Sequence, residues 1–152
     1  MTNPYAPPET DLIPIGDIKL YSSGQVAWST FLGSPFAGCL LLATNFRRFG
    51  KSKASNVTLV AGFIGTALLL VLSYFLPDNI PTSALSGGSI FGMYQVAKAL
   101  QGKIYEERIA LGGVKASAWA ATGIGLLCMI CLLGIIFGIA FVVPEDWFDS
   151  EF

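Results

Sequence analysis

Histidine is absent from all 152 residues of the chain. The commonest general base and the commonest metal ligand are therefore both missing. Charge is scarce as well: 12% of residues are charged, against about 25% in an ordinary soluble domain. Nine Lys and Arg residues are nearly balanced by ten Asp and Glu. Without a basic excess or a basic tract, the footprint of nucleic-acid binding is lacking. The three cysteines, Cys39, Cys128 and Cys131, all fall in apolar blocks, and so low and odd a number does not make a disulfide framework. Cys128 and Cys131 have redox-pair spacing, but apolar surroundings disfavour the thiolate, and they read as core packing. No phosphate-binding loop, dinucleotide fingerprint or nucleophile elbow is present. Neither a metal nor a cofactor is expected. The N-terminal stretch has neither the basic start nor the apolar centre of a cleavable signal peptide.

What the chain does have is apolar length. Hydrophobic residues make up 53% of it and the mean hydropathy is +0.64. Residues 26–46, 57–76 and 119–143 form three blocks without a single charge. A hydrocarbon core of ~30 Å takes about 20 helical residues, and only a helix satisfies its own backbone there. Trp28, Tyr74, Phe75 and Trp119 lie near block ends, where amphipathic rings favour the interface.

Residues 83–100 are harder to place. Leu85, Ile90, Phe91, Val96 and Leu100 favour insertion and Lys98 opposes it, though a lysine close to a helix end can extend its stem to the interface. The other charges decide. Arg47, Arg48, Lys51 and Lys53 lie between the first two blocks. If 83–100 crosses, Lys98, Lys103, Arg108 and Lys115 join them on one side, which the positive-inside rule makes cytoplasmic. The expectation is an all-α integral membrane four-helix bundle, residues 24–143, with spans at 26–46, 57–76, 83–100 and 119–143. A Pro-rich acidic tail, 1–23, precedes it and an acidic tail, 144–152, follows, both termini lying outside the cytoplasm. Past Leu100 the third helix should continue to Gly112-Gly113, where glycine ends it.

Small residues mark faces where helices can approach closely. Gly88 and Gly92 form one GxxxG pair and Gly134 and Gly138 a second, while Gly33 and Gly65 offer small faces on the first two spans. These six glycines are the candidates for packing within the bundle or against a partner. Pro35 removes a backbone donor from the first span and predicts a kink. With Tyr94, Gln95 and Lys98 it makes up the candidate solute pathway, Lys98 being the one charge expected within a span.

Residues 18–51 combine a Tyr-Ser-x-Gly-Gln entry at Tyr21, a Gly-x-Pro-x-x-Gly element at Gly33 and an Asn-aromatic-Arg exit at Asn45. This segment, about a fifth of the chain, resembles one found in small bacterial inner-membrane proteins of unknown function. The resemblance implies a bacterial inner membrane and implies no activity or site residues. In size and layout the chain also resembles small multidrug exporters, but the membrane-buried Glu on which those rely is absent here.

Three classes of function remain. The first is a non-enzymatic membrane protein acting through intramembrane helix contacts with a partner, as an accessory subunit or as an immunity protein against a membrane-acting toxin. The second is a small oligomeric transporter or channel. The third is an interfacial lipid-modifying enzyme, for which only the surface charges Glu106, Glu107 and Arg108 are on offer. The expected partners are membrane lipid and either a membrane protein or a second copy of the chain, with no nucleic acid.

Overall fold

A computed structural model describes residues 18–77 and 81–142. Tail residues 1–17 and 143–152, with Asp78 and Trp147, lie outside the described residues. The elements in order are β1 (Lys19–Leu20), α1 (Ser23–Arg48), α2 (Ser52–Phe75), α3 (Thr82–Ala110), β2 (Val114–Lys115) and α4 (Ala118–Val142). Among the described residues the chain is thus all-helical apart from one two-residue parallel pairing, Lys19 with Val114 and Leu20 with Lys115. By length and composition α1, α2 and α4 are each sufficient to cross a membrane. The segment around 83–100 is one uninterrupted helix, part of the 29-residue α3.

The reading of residues 26–46 as a single kinked span is corrected. At Gly33 (φ −128°, ψ 21°) and Ser34 (φ 80°, ψ 168°) the helix stops, and residues 35–48 start a second one. The two halves fold back on each other. A straight helix of 26 residues would hold its ends ~39 Å apart at 1.5 Å per residue. Instead the Tyr21 amide donates to Asn45 Oδ1 at 3.0 Å, and Asn45 Nδ2 donates to the Tyr21 carbonyl at 2.8 Å. The Arg48 guanidinium donates to the Lys19 carbonyl and sits 5.4 Å from the Tyr21 ring centroid. Between the halves, a Cβ at Gly38 would collide with the Thr30 hydroxyl. Proline explains the start of the second half: at the first helical position its missing N–H and fixed φ cost nothing.

The hairpin's outer ends are fixed by local chemistry. Ser22 and Gln25 form a capping box, Ser22 Oγ accepting the Gln25 amide at 3.3 Å and Gln25 Oε1 accepting the Ser22 amide at 2.9 Å. Residues 18–23 therefore belong to the fold and not to a tail, and Leu20 is fully buried. At the other end Lys51 N–H reaches the Phe46 carbonyl and Gly50 N–H the Arg47 carbonyl, both at 2.9 Å. That is a Schellman stop, with Gly50 at φ 74° supplying the left-handed residue. Gly112, at φ 92°, closes α3 in the same way, as expected at Gly112-Gly113.

The hairpin is the core. It packs against each of α2, α3 and α4, and those three touch one another little among the described residues. Its two halves, residues 23–32 and 35–48, are ~15 and ~21 Å long. The 24 residues of α2 run ~36 Å, so the hairpin fills only one half of the space that the long helices enclose. The half it fills is the end carrying Lys19, Arg47, Arg48, Lys51 and Lys53, and it also receives Gln101 of α3 and Ala116 before α4. We call this the basic end and its opposite the far end.

Candidate functional site

Polar side chains collect inside the hairpin. Asn45 is 1% exposed and Gln101 3%. Asn45 Nδ2 donates to Gln101 Oε1 at 2.9 Å, and Gln101 Nε2 donates to the Leu42 carbonyl at 2.9 Å. Gln25 Nε2 donates to the Ala116 carbonyl at 2.7 Å, while the Ala116 amide donates to the Leu20 carbonyl at 2.8 Å. A buried amide needs all its partners, and these three side chains find theirs on different elements. Together they lock both hairpin ends to α3 and to the segment before α4.

At the other extremity the hairpin tip is pinned from two sides. A Cβ on Gly33 would run into the carbonyl oxygen of Gly125 on α4, and a Cβ on Gly125 would come within 3.0 Å of Leu32 Cβ. Phe36, early in the second half-helix, has its amide capped by Thr66 Oγ1 of α2 at 3.0 Å. The hydroxyl of Ser34 is buried and has no hydrogen-bond partner.

Above the tip, toward the far end, lies a cavity of about 270 Å³. Hydroxyls line it from three elements: Thr30 and Ser34 of α1, Thr66 and Ser73 of α2, and Ser86 and Ser89 of α3. The rest of its wall is Pro35 and apolar side chains, with no charged residue among them. Irregular backbone inside an apolar helical assembly persists where protein buries it, and here α4 packs on Gly33 while α2 caps the Phe36 amide.

The residues singled out in the sequence are placed unevenly. Gly33 is a close-approach position. By contrast, a Cβ at Gly65, Gly88, Gly92, Gly134 or Gly138 would meet nothing within 4 Å, so packing inside this chain is not what those five glycines do. The internal close approaches use Gly33, Gly38, Gly62 and Gly125, where Gly62 faces Cys39 of α1 and Gly38 faces Met93 of α3. Of the candidate pathway only Pro35 borders the cavity; Tyr94, Gln95 and Lys98 are exposed on α3 and are not gathered with it. Among the described residues no group of His, Cys, Asp or Glu is arranged to hold a metal.

Sequence reading missed Asn45, Gln25, Gln101, Ser34 and Thr66. One signal was available. Serine followed by proline inside an apolar block is the signature of a helix start, N-cap and first position, and here it marks a second half-helix and not a bend in one long helix. Comparison with family models, with curated proteins and with solved structures finds no match.

Proposed function

We propose that this chain is a multi-pass protein of a bacterial inner membrane that acts, without enzymatic chemistry, through helix contacts with another membrane protein. The observation that carries the reading is the pair of GxxxG faces, Gly88 with Gly92 and Gly134 with Gly138, which meet nothing in their own chain. Smooth glycine faces favour close helix approach in lipid, where packing and not water exclusion drives association. The second pair lies in the part of α4 where Phe137 is 72% and Phe141 94% exposed. Accessory-subunit and immunity roles both fit this mode of contact.

Membrane insertion is supported by the apolar surface. Val57, Phe63, Leu68 and Ile130 are each more than half exposed, while the buried amides of Asn45 and Gln101 lie inside among apolar residues such as Val26, Leu41 and Leu42. Apolar patches of that extent are a liability in water and are at rest in lipid. Orientation follows from charge. All nine basic residues are described, and they lie at or beyond the level of Lys98, toward the basic end. With that end in the cytoplasm, the hairpin enters and leaves from the same side and α2, α3 and α4 each cross. The expectation of both termini outside then changes: Ile18 is cytoplasmic and Val142 is external.

The test is purification from gently solubilised membranes, comparing wild type with Gly138→Leu. The wild type should carry a stoichiometric membrane-protein partner that Gly138→Leu loses, with the melting of the isolated chain unchanged. A wild type that runs alone as a monomer, and a variant that behaves identically, would contradict the proposal.

A further inference from the structure

We infer that the basic end carries a binding site for the phosphate of an acidic phospholipid headgroup, built around Arg48 with Lys19 and Lys115 beside it. The inference rests on the membrane reading above and is separate from contact with a partner protein.

Three stretches distant in sequence meet here. β1 and β2 run parallel, with Lys19 opposite Val114 and Leu20 opposite Lys115. With strands ~4.8 Å apart and ~3.3 Å of rise per residue, the Cα atoms of Lys19 and Lys115 are about 6 Å apart. Arg48 brings the end of α1 to the same place, its guanidinium donating to the Lys19 carbonyl. Both lysines are exposed, and their flexible four-carbon stems allow the ammonium heads to converge on one anion.

Arg48 is a fixed recognition group. One of its donors goes to the Lys19 carbonyl, and its guanidinium carbon sits 5.4 Å from the Tyr21 ring centroid. Tyr21 is itself buried and bonded to Asn45 through its backbone. A guanidinium oriented in this way keeps donors to spare, and its planar fork suits two phosphate oxygens. What it lacks is an anion. Among the described residues Lys19, Arg48 and Lys115 form no ion pair. The described acids are Glu106 and Glu107 alone, against nine basic residues. Cations gathered without a counter-charge repel one another, and a phosphate relieves that repulsion.

Depth selects lipid as the source of the phosphate. The apolar helical stretches begin at Ser23 and Ala118, four residues after Lys19 and three after Lys115. Trp119, in the first turn of α4, is 85% exposed, as suits an amphipathic ring at headgroup level. On the proposed orientation these residues face the cytoplasmic leaflet, where acidic lipids attract basic groups.

The test reconstitutes the full chain in phosphatidylcholine bilayers holding a trace of spin-labelled phosphatidylglycerol or, separately, spin-labelled phosphatidylcholine. The immobilised fraction of each label measures its retention by the protein. Phosphatidylglycerol should be preferred about threefold or more, and excess inorganic phosphate at constant ionic strength should not reduce the preference. Lys19→Gln combined with Lys115→Gln should bring the ratio close to one and leave the melt in neutral detergent unchanged. Those side chains make no hydrogen bond or ion pair among the described residues. Arg48→Lys, which keeps the charge and loses the fork, should lower the preference about twofold. Lys53→Gln combined with Lys98→Gln, an equal loss of charge on α2 and α3, should leave it in place.

Equal retention of both lipids by the wild type would overturn the inference and leave the patch to an acidic protein segment. A preference that appears only with Asp17→Asn would assign the patch to that carboxylate and overturn it too. An equal fall in the two double variants would mean diffuse attraction to the whole basic end and no site at Arg48. A preference lost to inorganic phosphate would mean a site for the free anion and not for lipid. Failure of the chain to enter bilayers would remove the membrane reading itself, whereas insertion without preference removes this inference alone.

Discussion

Gly33 and Gly92 look alike in sequence, each a small residue in an apolar helical context, and their surroundings differ completely. Gly33 sits against the backbone carbonyl of Gly125, whereas a side chain at Gly92 would enter open space. Backbone cannot step aside as a flexible side chain can, so a methyl group at Gly33 has to displace α4 or the tip. Gly33→Ala should destabilise the chain in detergent by ~1–3 kcal/mol, the usual range for overpacking. Gly92→Ala should leave the melting temperature unchanged or raise it slightly, since alanine is the better helix former by ~1 kcal/mol. Thermal melts of the two purified variants make the comparison, and equal losses would contradict the tip contact. Ser34 poses a different residue-scale question. Its φ of 80° belongs to a region that side chains rarely adopt, at a cost of about 1–3 kcal/mol. The tip contacts at Gly33 and Phe36 hold it there.

At the scale of elements, buried amides tie the ends of the hairpin to their neighbours. Asn45 ties Tyr21, before the first half-helix, to Gln101 of α3. Asn45→Ala leaves the Tyr21 amide and the Gln101 carbonyl oxygen without partners inside the protein. Each orphaned buried group costs ~1–3 kcal/mol, so the variant should unfold at markedly lower denaturant than Gln95→Ala, whose side chain is exposed. Unfolding titrations in mixed micelles test this, and matching midpoints would show that the amide network holds nothing together. The long helices were legible in the sequence because hydropathy and glycine stops report on local structure: α2, the end of α3 at Gly112 and the start of α4 all fall where composition places them. The hairpin was not legible, because a window sum of hydropathy over residues 26–46 is the same whether the chain runs on or turns back. What distinguishes the two is a contact between Tyr21 and Asn45, and contacts at a distance leave no periodic trace. The GxxxG pairs left internal and external packing open for a related reason. Two glycines four apart define a smooth face, but the pattern does not say which helix, if any, covers it.

At the scale of the whole molecule, turning α1 into a hairpin leaves three long helices where four spans were expected. On the proposed topology, that change of parity alters the logic of every charge. Lys19, expected apart from the other basic residues, pairs in β1 with Val114 and joins them. Among the described residues the only acids, Glu106 and Glu107, lie at the same end. The far end keeps the cavity and carries no described charge, so the molecule divides into a polar-locked basic half and an open, hydroxyl-lined half. The proposed topology depends on the fold-back at Gly33 and Ser34. The direct measurement places single cysteines at Lys19 and at Lys51, one on each side of α1, in a cysteine-free chain. Both are then labelled with a membrane-impermeant thiol reagent in intact cells and in inverted membrane vesicles. The hairpin predicts that Lys19→Cys and Lys51→Cys react from the same side, both protected in cells and both labelled in inverted vesicles. Labelling of the two from opposite sides would mean that α1 crosses as one helix, and would contradict the account.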